Sequence, residues 1–342
     1  MLEWYTMYMP ISGVDIFWPG LVLIGFSVGC IGGFFGMGGA WMVTPGLNIL
    51  GFPMAFAIGT DIAHIAGKSM ISTFRHAKFG NVDYKLGLIM IVGTVIGIEI
   101  GAQIVMYLER LGQVGPVVRW AYIVLLALIC IMVFYDYYKA DKKRKAGDIG
   151  ERGAEGITWY KTLHRIKIPP MVHFKTAGFT CSAWLPIMVS FLTGILAGFL
   201  GIGGGLIRMP ALVYLIGCPT HIAVGTDLFE VMISGLYGTF TYGAKGRIEI
   251  YAVFVMLLGA AIGAQIGTVA TKYAKGYGIR VAFGLAVLAC MVSIILKQYK
   301  IDTAATVLIL GAVGSICVYI CWIMFSGAAK ELREKKAASH QV

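Results

Sequence analysis

The chain has 342 residues, of which 58% are apolar and 13% are charged, and its formal net charge is +11. A water-soluble domain has about 25% charged residues, so this composition excludes an ordinary soluble protein. The positive charge lies in loops between apolar segments, as in membrane proteins whose cytoplasmic loops are rich in Lys and Arg, and this excludes a nucleic-acid partner.

Apolar segments follow one another along the chain. The first covers 16–35 and ends at a glycine cluster. The next, 40–51, is too short to span a bilayer comfortably, because a spanning helix needs about 20 residues. Longer segments follow at 53–73, 86–106 and 117–138. The same order returns at 184–200, 206–217, 219–243, 250–271 and 280–297, and a further segment covers 303–325.

These segments belong to an internal repeat. The elements of the first copy are Gly36-Met37-Gly38-Gly39, Pro45, Gly59-Thr60-Asp61 and Asp83, and those of the second are Gly201-Ile202-Gly203-Gly204, Pro210, Gly225-Thr226-Asp227 and Glu249. The register holds with a single insertion, which chance similarity of two apolar stretches would not produce. The chain is therefore a duplication, and the terminal segment 303–325 has no counterpart in the first half.

We predict an all-α polytopic membrane protein with two inverted structural repeats, each a glycine-broken hairpin plus three transmembrane helices, and one extra C-terminal helix. The repeats are assigned to 1–138 and 181–300, the basic cytoplasmic loop to 139–180, and the additional helix and cytoplasmic tail to 301–342. Because Lys and Arg concentrate on the cytoplasmic side, the N-terminus is expected outside, and the central loop and C-terminus inside. The chain is then a multi-pass protein of the cytoplasmic (inner) membrane.

The glycine clusters are candidate substrate-binding sites. Irregular backbone at membrane depth must line a cavity or be buried in protein. Helices that restart at Ala40 and Leu206 would present free N–H groups and a positive dipole end to an anion. The candidate residues are Gly36, Gly38, Gly39, Gly201, Gly203, Gly204 and Gly205. Close helix packing is the alternative, and we favour it for the four-spaced glycines 93, 97, 101, 259, 263 and 267.

Ionisable residues inside apolar segments usually face a cavity. Those of the two halves are Asp61, His64, Lys68, Arg208, Asp227 and Glu230, accompanied by Thr60 and Thr226. We expect the threonines to hydrogen-bond an anion, Lys68 and Arg208 to offset its charge, and an acid or His64 to carry a coupling proton.

Several of these residues have an alternative structural role. Helix capping would explain Asp61 and Asp227, since both follow a glycine near a helix start. An interhelical hydrogen bond would explain His64. Lys68 could extend to the cytoplasmic membrane surface, and Arg208 could lie at the cytoplasmic mouth.

No enzyme or cofactor chemistry is indicated. The seven cysteines form no CxxC pair, and no metal-ligand spacing is present. Within the apolar segments only His64 and His221 remain as histidines, too few for a two-haem helix pair. We therefore predict no enzymatic activity, no cofactor and no metal.

The doubled pattern G-x-G-G-x…P…G-T, followed by G-x-(V/I)-(D/E) and four-spaced glycines, resembles the sulfite exporter TauE/SafE family of membrane permeases. The residues that carry it are those of the repeat, with Gly80-Asn81-Val82-Asp83 and Gly246-Arg247-Ile248-Glu249. The chain departs from the family in its long basic central loop and in His64, Lys68 and Arg208.

The resemblance implies export or exchange of small sulfur-containing anions, such as sulfite, sulfonates or thiosulfate, driven by the proton gradient. An anion channel and a membrane partner of a sulfur redox complex are the alternatives. The expected partners are the anion and membrane lipid, and a homodimer is compatible with the sequence.

Overall fold

The computed structural model describes residues 5–35, 40–145, 168–270 and 278–339. Within these ranges the first half contains β1 (Thr6–Met9), β2 (Val14–Phe17), α1 (Trp18–Phe35), α2 (Val43–Leu50), α3 (Met54–Lys78), α4 (Tyr84–Arg110) and α5 (Val114–Lys145). The second half contains β3 (Met171–Phe174), β4 (Phe179–Ser182), α6 (Trp184–Leu200), α7 (Gly205–Tyr214), α8 (Thr220–Ala244), α9 (Ile250–Ala270), α10 (Gly278–Gln298) and α11 (Asp302–Ser339). A 3-10 turn, Ala40–Met42, precedes α2.

Four helices of the described chain are long and apolar enough to cross a membrane. They are Tyr84–Arg110, Val114–Tyr135, Ile250–Ala270 and Asp302–Gly327, and shorter apolar helices cover Trp18–Phe34, Trp184–Leu200 and Gly284–Gln298. The prediction of an all-α, multi-pass membrane protein is confirmed.

Helix α4 shows how the chain separates lipid-facing from protein-facing surface. Leu88, Val92 and Ile96 are exposed and follow one another at four-residue spacing, so they share one face. Gly93 and Gly97 are buried on the other side. An exposed apolar stripe on a spanning helix is the surface that lipid covers.

The four-spaced glycines let helices of different halves touch through their backbones. Helix α4 packs along α6, and α1 packs along α9. A Cβ atom on Gly97 would lie 2.7 Å from the backbone nitrogen of Ile195, and one on Gly259 would lie 2.8 Å from the backbone nitrogen of Phe26. Neither leaves room for a side chain, which confirms that these glycines are packing positions.

Each half begins with a β-hairpin that the sequence analysis did not predict. Strand β1 pairs antiparallel with β2, and β3 pairs with β4. Gly13 and Gly178 occupy equivalent turn positions with φ of 68° and 75°, in the left-handed region that favours glycine. The second hairpin begins inside segment 139–180, and α5 runs seven residues beyond 138 (to Lys145).

Helices α3 and α8 form the centre of the molecule. Each has 25 residues, about 37 Å of helix, which is long enough to cross a bilayer. They pack against each other, and the candidate site residues that they carry are buried. The candidate site residues on these two helices therefore lie in the interior and away from lipid. The inversion of the two repeats relative to the membrane stays a prediction.

Candidate functional site

Thr60 and Thr226 join the two halves of the chain. The hydroxyl of Thr60 accepts a hydrogen bond from the backbone N–H of Glu249 at 3.0 Å. The hydroxyl of Thr226 accepts one from the backbone N–H of Asp83 at 2.9 Å. Both threonines are fully buried. In this structure each hydroxyl is hydrogen-bonded to the backbone of the opposite half of the chain. The predicted contact of the two threonines with a transported anion stays a prediction.

Helix capping of α3 and α8 does not explain Asp61 and Asp227. Helix α3 begins at Met54 and α8 at Thr220, so both aspartates lie well inside their helices. Asp61 instead acts on α2: its Oδ2 accepts from the backbone N–H of Thr44 at 3.0 Å and from the Thr44 hydroxyl at 2.8 Å. A carboxylate of the protein thus meets the positive end of α2.

Asp61, His64 and Lys68 form a first cluster on α3. Oδ1 of Asp61 lies 3.8 Å from Nδ1 of His64, and Lys68 interacts electrostatically with Asp61. His64 is fully buried, and neither ring nitrogen meets a hydrogen-bond partner in the described part of the chain. The interhelical hydrogen bond considered for His64 is therefore not found among these residues.

Arg208 is the centre of a second cluster. Its Nε donates to Oδ1 of Asp227 at 2.6 Å, and its Nη1 lies 2.5 Å from Oε2 of Glu230. Nη1 also donates to the hydroxyl of Thr94 at 3.2 Å, and Nη2 to the carbonyl of Gly203 at 3.1 Å. Arg208 has no exposed surface in this structure, and its position relative to the cytoplasmic mouth stays a prediction.

The two clusters occupy equivalent positions of the repeat but differ in chemistry. Asp61 corresponds to Asp227, His64 to Glu230, and Lys68 to Ser234. In the first half the cation is on α3 itself, whereas in the second half Arg208 supplies it from α7. Each cluster therefore holds one aspartate, one further titratable group and one cation.

The second glycine cluster lies between the two charged clusters. A Cβ atom on Gly201 would lie 2.5 Å from the Thr44 hydroxyl, and one on Gly205 would lie 2.8 Å from Oδ2 of Asp227. Gly203 and Gly204 adopt φ of 64° and 74°, in the left-handed region, as the chain turns from α6 into α7. The predicted site residues Gly36, Gly38 and Gly39 lie outside the described residues.

A small cavity adjoins the second cluster. Its lining residues are Ile62, Ile65, Ile98, Ala197, Gly203, Val231, Ser234 and Gly235. It has room for about one water molecule, and its walls are mostly apolar. Gly203 lines this cavity and also accepts from Arg208, so the cavity and the buried guanidinium are neighbours. An anion could enter only after the helices around the cavity separate.

Asp83 and Glu249 hold the two β-hairpins, a role that the sequence analysis missed. Oε2 of Glu249 accepts from the backbone N–H groups of Ile11 and Ser12, at 3.0 and 2.9 Å. Oδ2 of Asp83 accepts from the backbone N–H of Ala177 at 3.1 Å. Each acid of the repeated G-x-(V/I)-(D/E) motif thus reaches the hairpin of the opposite half. The equivalent positions of Asp83 and Glu249 in the two repeats were the sequence signal that could have indicated a shared structural role.

Thr44, Thr94 and Tyr122 are further polar residues near the clusters that the sequence analysis missed. The hydroxyl of Tyr122 donates to the carbonyl of Leu200 at 2.5 Å, next to the glycine loop. Thr44 and Thr94 are buried and contact Asp61 and Arg208 respectively. Single Thr and Tyr residues in apolar segments carry no pattern that separates them from packing residues.

A family model described as Sulfite exporter TauE/SafE matches residues 21–294. The match covers both halves and both charged clusters. No solved structure is significantly similar to the chain.

Curated relatives are similar over most of their length. The probable membrane transporter protein YunE of Bacillus subtilis is 27% identical over 72% of this chain and 86% of its own. A probable membrane transporter protein of Xylella fastidiosa is 25% identical over 81% of this chain and 93% of its own. One from Methanocaldococcus jannaschii is 26% identical over 66% of this chain and 72% of its own.

Proposed function

The chain belongs to the sulfite exporter TauE/SafE family of membrane transporters, and we propose that it is a secondary transporter for a small sulfur-containing anion of the sulfite, sulfonate or thiosulfate class, coupled to the proton gradient. Because the family consists of transporters, we assign no catalytic activity to this chain. The anion is taken to cross the cytoplasmic membrane, with the N-terminus outside and the central loop and C-terminus inside.

The observation that carries the proposal is the fully buried Arg208. A guanidinium presents a planar fork of donors that matches the paired oxygens of an oxyanion. In a water-excluded interior its attraction for an anion is much stronger than at a protein surface. Arg208 lies at the glycine-broken start of α7, beside the cavity, which is where transporters of repeated architecture bind their substrates.

Buried titratable groups favour a coupled carrier over an anion channel. Asp61, His64 and Glu230 have no exposed surface, and Asp227 is buried. A channel needs no titratable groups, whereas a proton-coupled carrier needs at least one that changes its charge within the membrane. The cavity of single-water size is also a carrier-like feature, since an open channel requires a continuous pore.

Counterflow in proteoliposomes tests the proposal with purified protein alone. Sulfite, methanesulfonate and thiosulfate are each placed on one or both sides of the membrane. A carrier gives faster uptake when the same anion is present on the opposite side, whereas a channel shows no such acceleration. Transport by the isolated protein also argues against a mere partner of a redox complex.

Arg208→Lys is the informative variant, since it keeps the charge and removes the donor fork. Uptake is expected to fall at least about tenfold, which corresponds to losing about 1.4 kcal/mol of interaction. Arg110→Gln, at an exposed position, is the matched control and should transport normally. No uptake of any of the three anions by the wild-type protein would contradict the proposal.

A further inference from the structure

The charge of the second cluster is the starting point. Arg208 supplies one positive charge, and Asp227 and Glu230 supply two negative charges when both are ionised. An unbalanced charge in a low-dielectric interior costs several kcal/mol. An additional anion could therefore bind Arg208 only if one of the two acids gives up its negative charge.

The two acids differ in what holds their charge. Oδ2 of Asp227 abuts Gly205, the first residue of the ten-residue helix α7, whose positive dipole end stabilises a carboxylate. Asp227 also receives the 2.6 Å hydrogen bond from Nε of Arg208. Glu230 is fully buried and lies one turn further along α8, so its charge depends mainly on the ion pair with Arg208. Glu230 is thus the acid more easily neutralised.

We infer that Glu230 is a movable counter-ion of Arg208: it takes up the coupling proton, leaves the guanidinium, and a singly charged oxyanion takes its place. This inference rests on the proposed function and specifies the charge of its substrate. The proton forms an O–H bond on the Glu230 carboxyl group, and no other covalent bond changes. One monoanion replaces one carboxylate charge, so the net charge of the cluster stays the same.

A doubly charged anion would break this balance. With Glu230 protonated, a dianion on Arg208 would leave one more negative charge in the interior than the cluster holds in this structure. The site is therefore suited to sulfonates and hydrogensulfite, and it discriminates against sulfate and thiosulfate dianions. Transport of one proton with one monoanion moves no net charge across the membrane.

A cavity with room for about one water molecule lies beside the site of this exchange. Ser234, one turn along α8, and Gly203, which accepts from Arg208, both line the small cavity. Displacement of the Glu230 side chain would join that cavity to the guanidinium. The hydroxyl of Ser234 would then be available to an anion oxygen.

The groups that face Glu230 come from three elements. Arg208 faces it from α7, Thr94 from α4, and Asp227 and Ser234 from its own helix. Ile65 of α3 packs against Val231 beside it. Among the further titratable groups on α3 and α4, Asp61, His64 and Lys68 form the first cluster, and Glu99 contacts Tyr237 and Thr241.

Two probes of similar size test the charge rule. Methanesulfonate is the salt of a strong acid and stays singly charged throughout the pH range used, whereas sulfate is doubly charged. Binding of each is measured from ligand-dependent thermal unfolding of the purified protein at several pH values. Methanesulfonate should bind more weakly by about tenfold per pH unit above the titration of Glu230, since one proton binds with it. Sulfate should bind at least about tenfold more weakly than methanesulfonate.

Glu230→Gln mimics the protonated acid, so methanesulfonate should bind this variant with higher affinity at high pH and with no pH dependence. Glu99→Gln is the matched control and should keep the wild-type pH dependence. A Glu230→Gln protein that retains this dependence overturns the inference and leaves the proposed function standing. Equal affinity for sulfate and methanesulfonate overturns it as well.

A measurement on the wild-type protein does not depend on the folding of any variant. Methanesulfonate uptake into proteoliposomes is driven by a pH gradient, and a potassium diffusion potential is then imposed with valinomycin. Uptake should follow the pH gradient and ignore the potential, because the cycle is electroneutral. Uptake that changes with the potential overturns the inference. If methanesulfonate neither binds nor is transported, the inference is overturned, whereas the proposed function fails only if sulfite and thiosulfate are not transported either.

Discussion

The hydroxyl of Thr60 accepts a hydrogen bond from the backbone N–H of Glu249 at 3.0 Å, and this bond connects the two halves of the chain. The side chain of Glu249 in turn accepts hydrogen bonds from the backbone N–H groups of Ile11 and Ser12, which lie in the first hairpin. Thr226 and Asp83 form the corresponding chain to Ala177 in the second hairpin. Each central helix is thus connected to one hairpin through the opposite half of the chain.

Thr60→Val combined with Thr226→Val should destabilise the folded protein. Each substitution leaves a buried backbone N–H without its acceptor, which costs about 1–3 kcal/mol. Thermal unfolding in detergent measures the effect, and the midpoint should fall for each single variant and further for the pair. Thr306→Val is the control, since Thr306 is half-buried and its hydroxyl donates to the carbonyl of Asp302 in its own helix. Equal midpoints for the double variant and wild type would show that these contacts contribute nothing.

Glu249→Met should loosen the first hairpin and leave the second intact. Methionine keeps the length of the side chain but accepts no hydrogen bond from Ile11 or Ser12. Amide hydrogen exchange should therefore speed up between 6 and 17, and stay as in wild type between 171 and 182, which Asp83 holds. The second hairpin is an internal control. Faster exchange in both hairpins would indicate general unfolding instead.

Gly97→Ala and Gly314→Ala should have opposite effects. A Cβ atom on Gly97 would lie 2.7 Å from the backbone nitrogen of Ile195, so α4 and α6 would have to separate, at about 1–3 kcal/mol. Gly314 has open space around the same position, and Ala in a helix is about 1 kcal/mol more favourable than Gly. The unfolding midpoint should fall for the first variant and rise slightly for the second. A tolerated Gly97→Ala would contradict the packing role.

The fold was predictable because apolar length fixes the position of a membrane helix directly. The segment expected at 250–271 is observed as Ile250–Ala270, and that expected at 303–325 lies within Asp302–Ser339. The hairpins were missed because strands of four residues carry too little alternation to be recognised. The correspondence of Gly13 and Gly178 would have extended the repeat to include them.

The composition of the charged clusters was predictable, whereas their pairing was not. Charged residues in apolar segments identified Asp61, Arg208 and Glu230 as buried functional candidates. Their partners depend on how short helices lie against long ones, which spacing along the chain does not determine. Asp61 bonds Thr44 of α2, and the threonines expected to meet the substrate bond the backbone of the opposite half.

Asp61→Asn tests whether the first cluster takes part in proton coupling. The variant keeps an oxygen that can accept from Thr44 but loses the negative charge at the positive end of α2, worth about 0.3–1 kcal/mol, and the charge that offsets the buried Lys68. The protein should therefore unfold at a lower temperature, while methanesulfonate binding keeps its pH dependence because Glu230 carries the proton. Binding that no longer changes with pH in Asp61→Asn would place the coupling proton in the first half.

Arg208→Met should be strongly destabilising, and neutralising its two partners should reverse most of the loss. The single variant leaves Asp227 and Glu230 buried without their cation, which costs about 3–5 kcal/mol. Adding Asp227→Asn and Glu230→Gln removes both uncompensated charges, so the unfolding midpoint of the triple variant should return close to that of wild type. The triple variant should still bind no methanesulfonate, because the guanidinium is gone. If it unfolds as early as Arg208→Met alone, the arginine stabilises the protein by packing and not by charge balance, and the charge argument for a monoanion loses its basis.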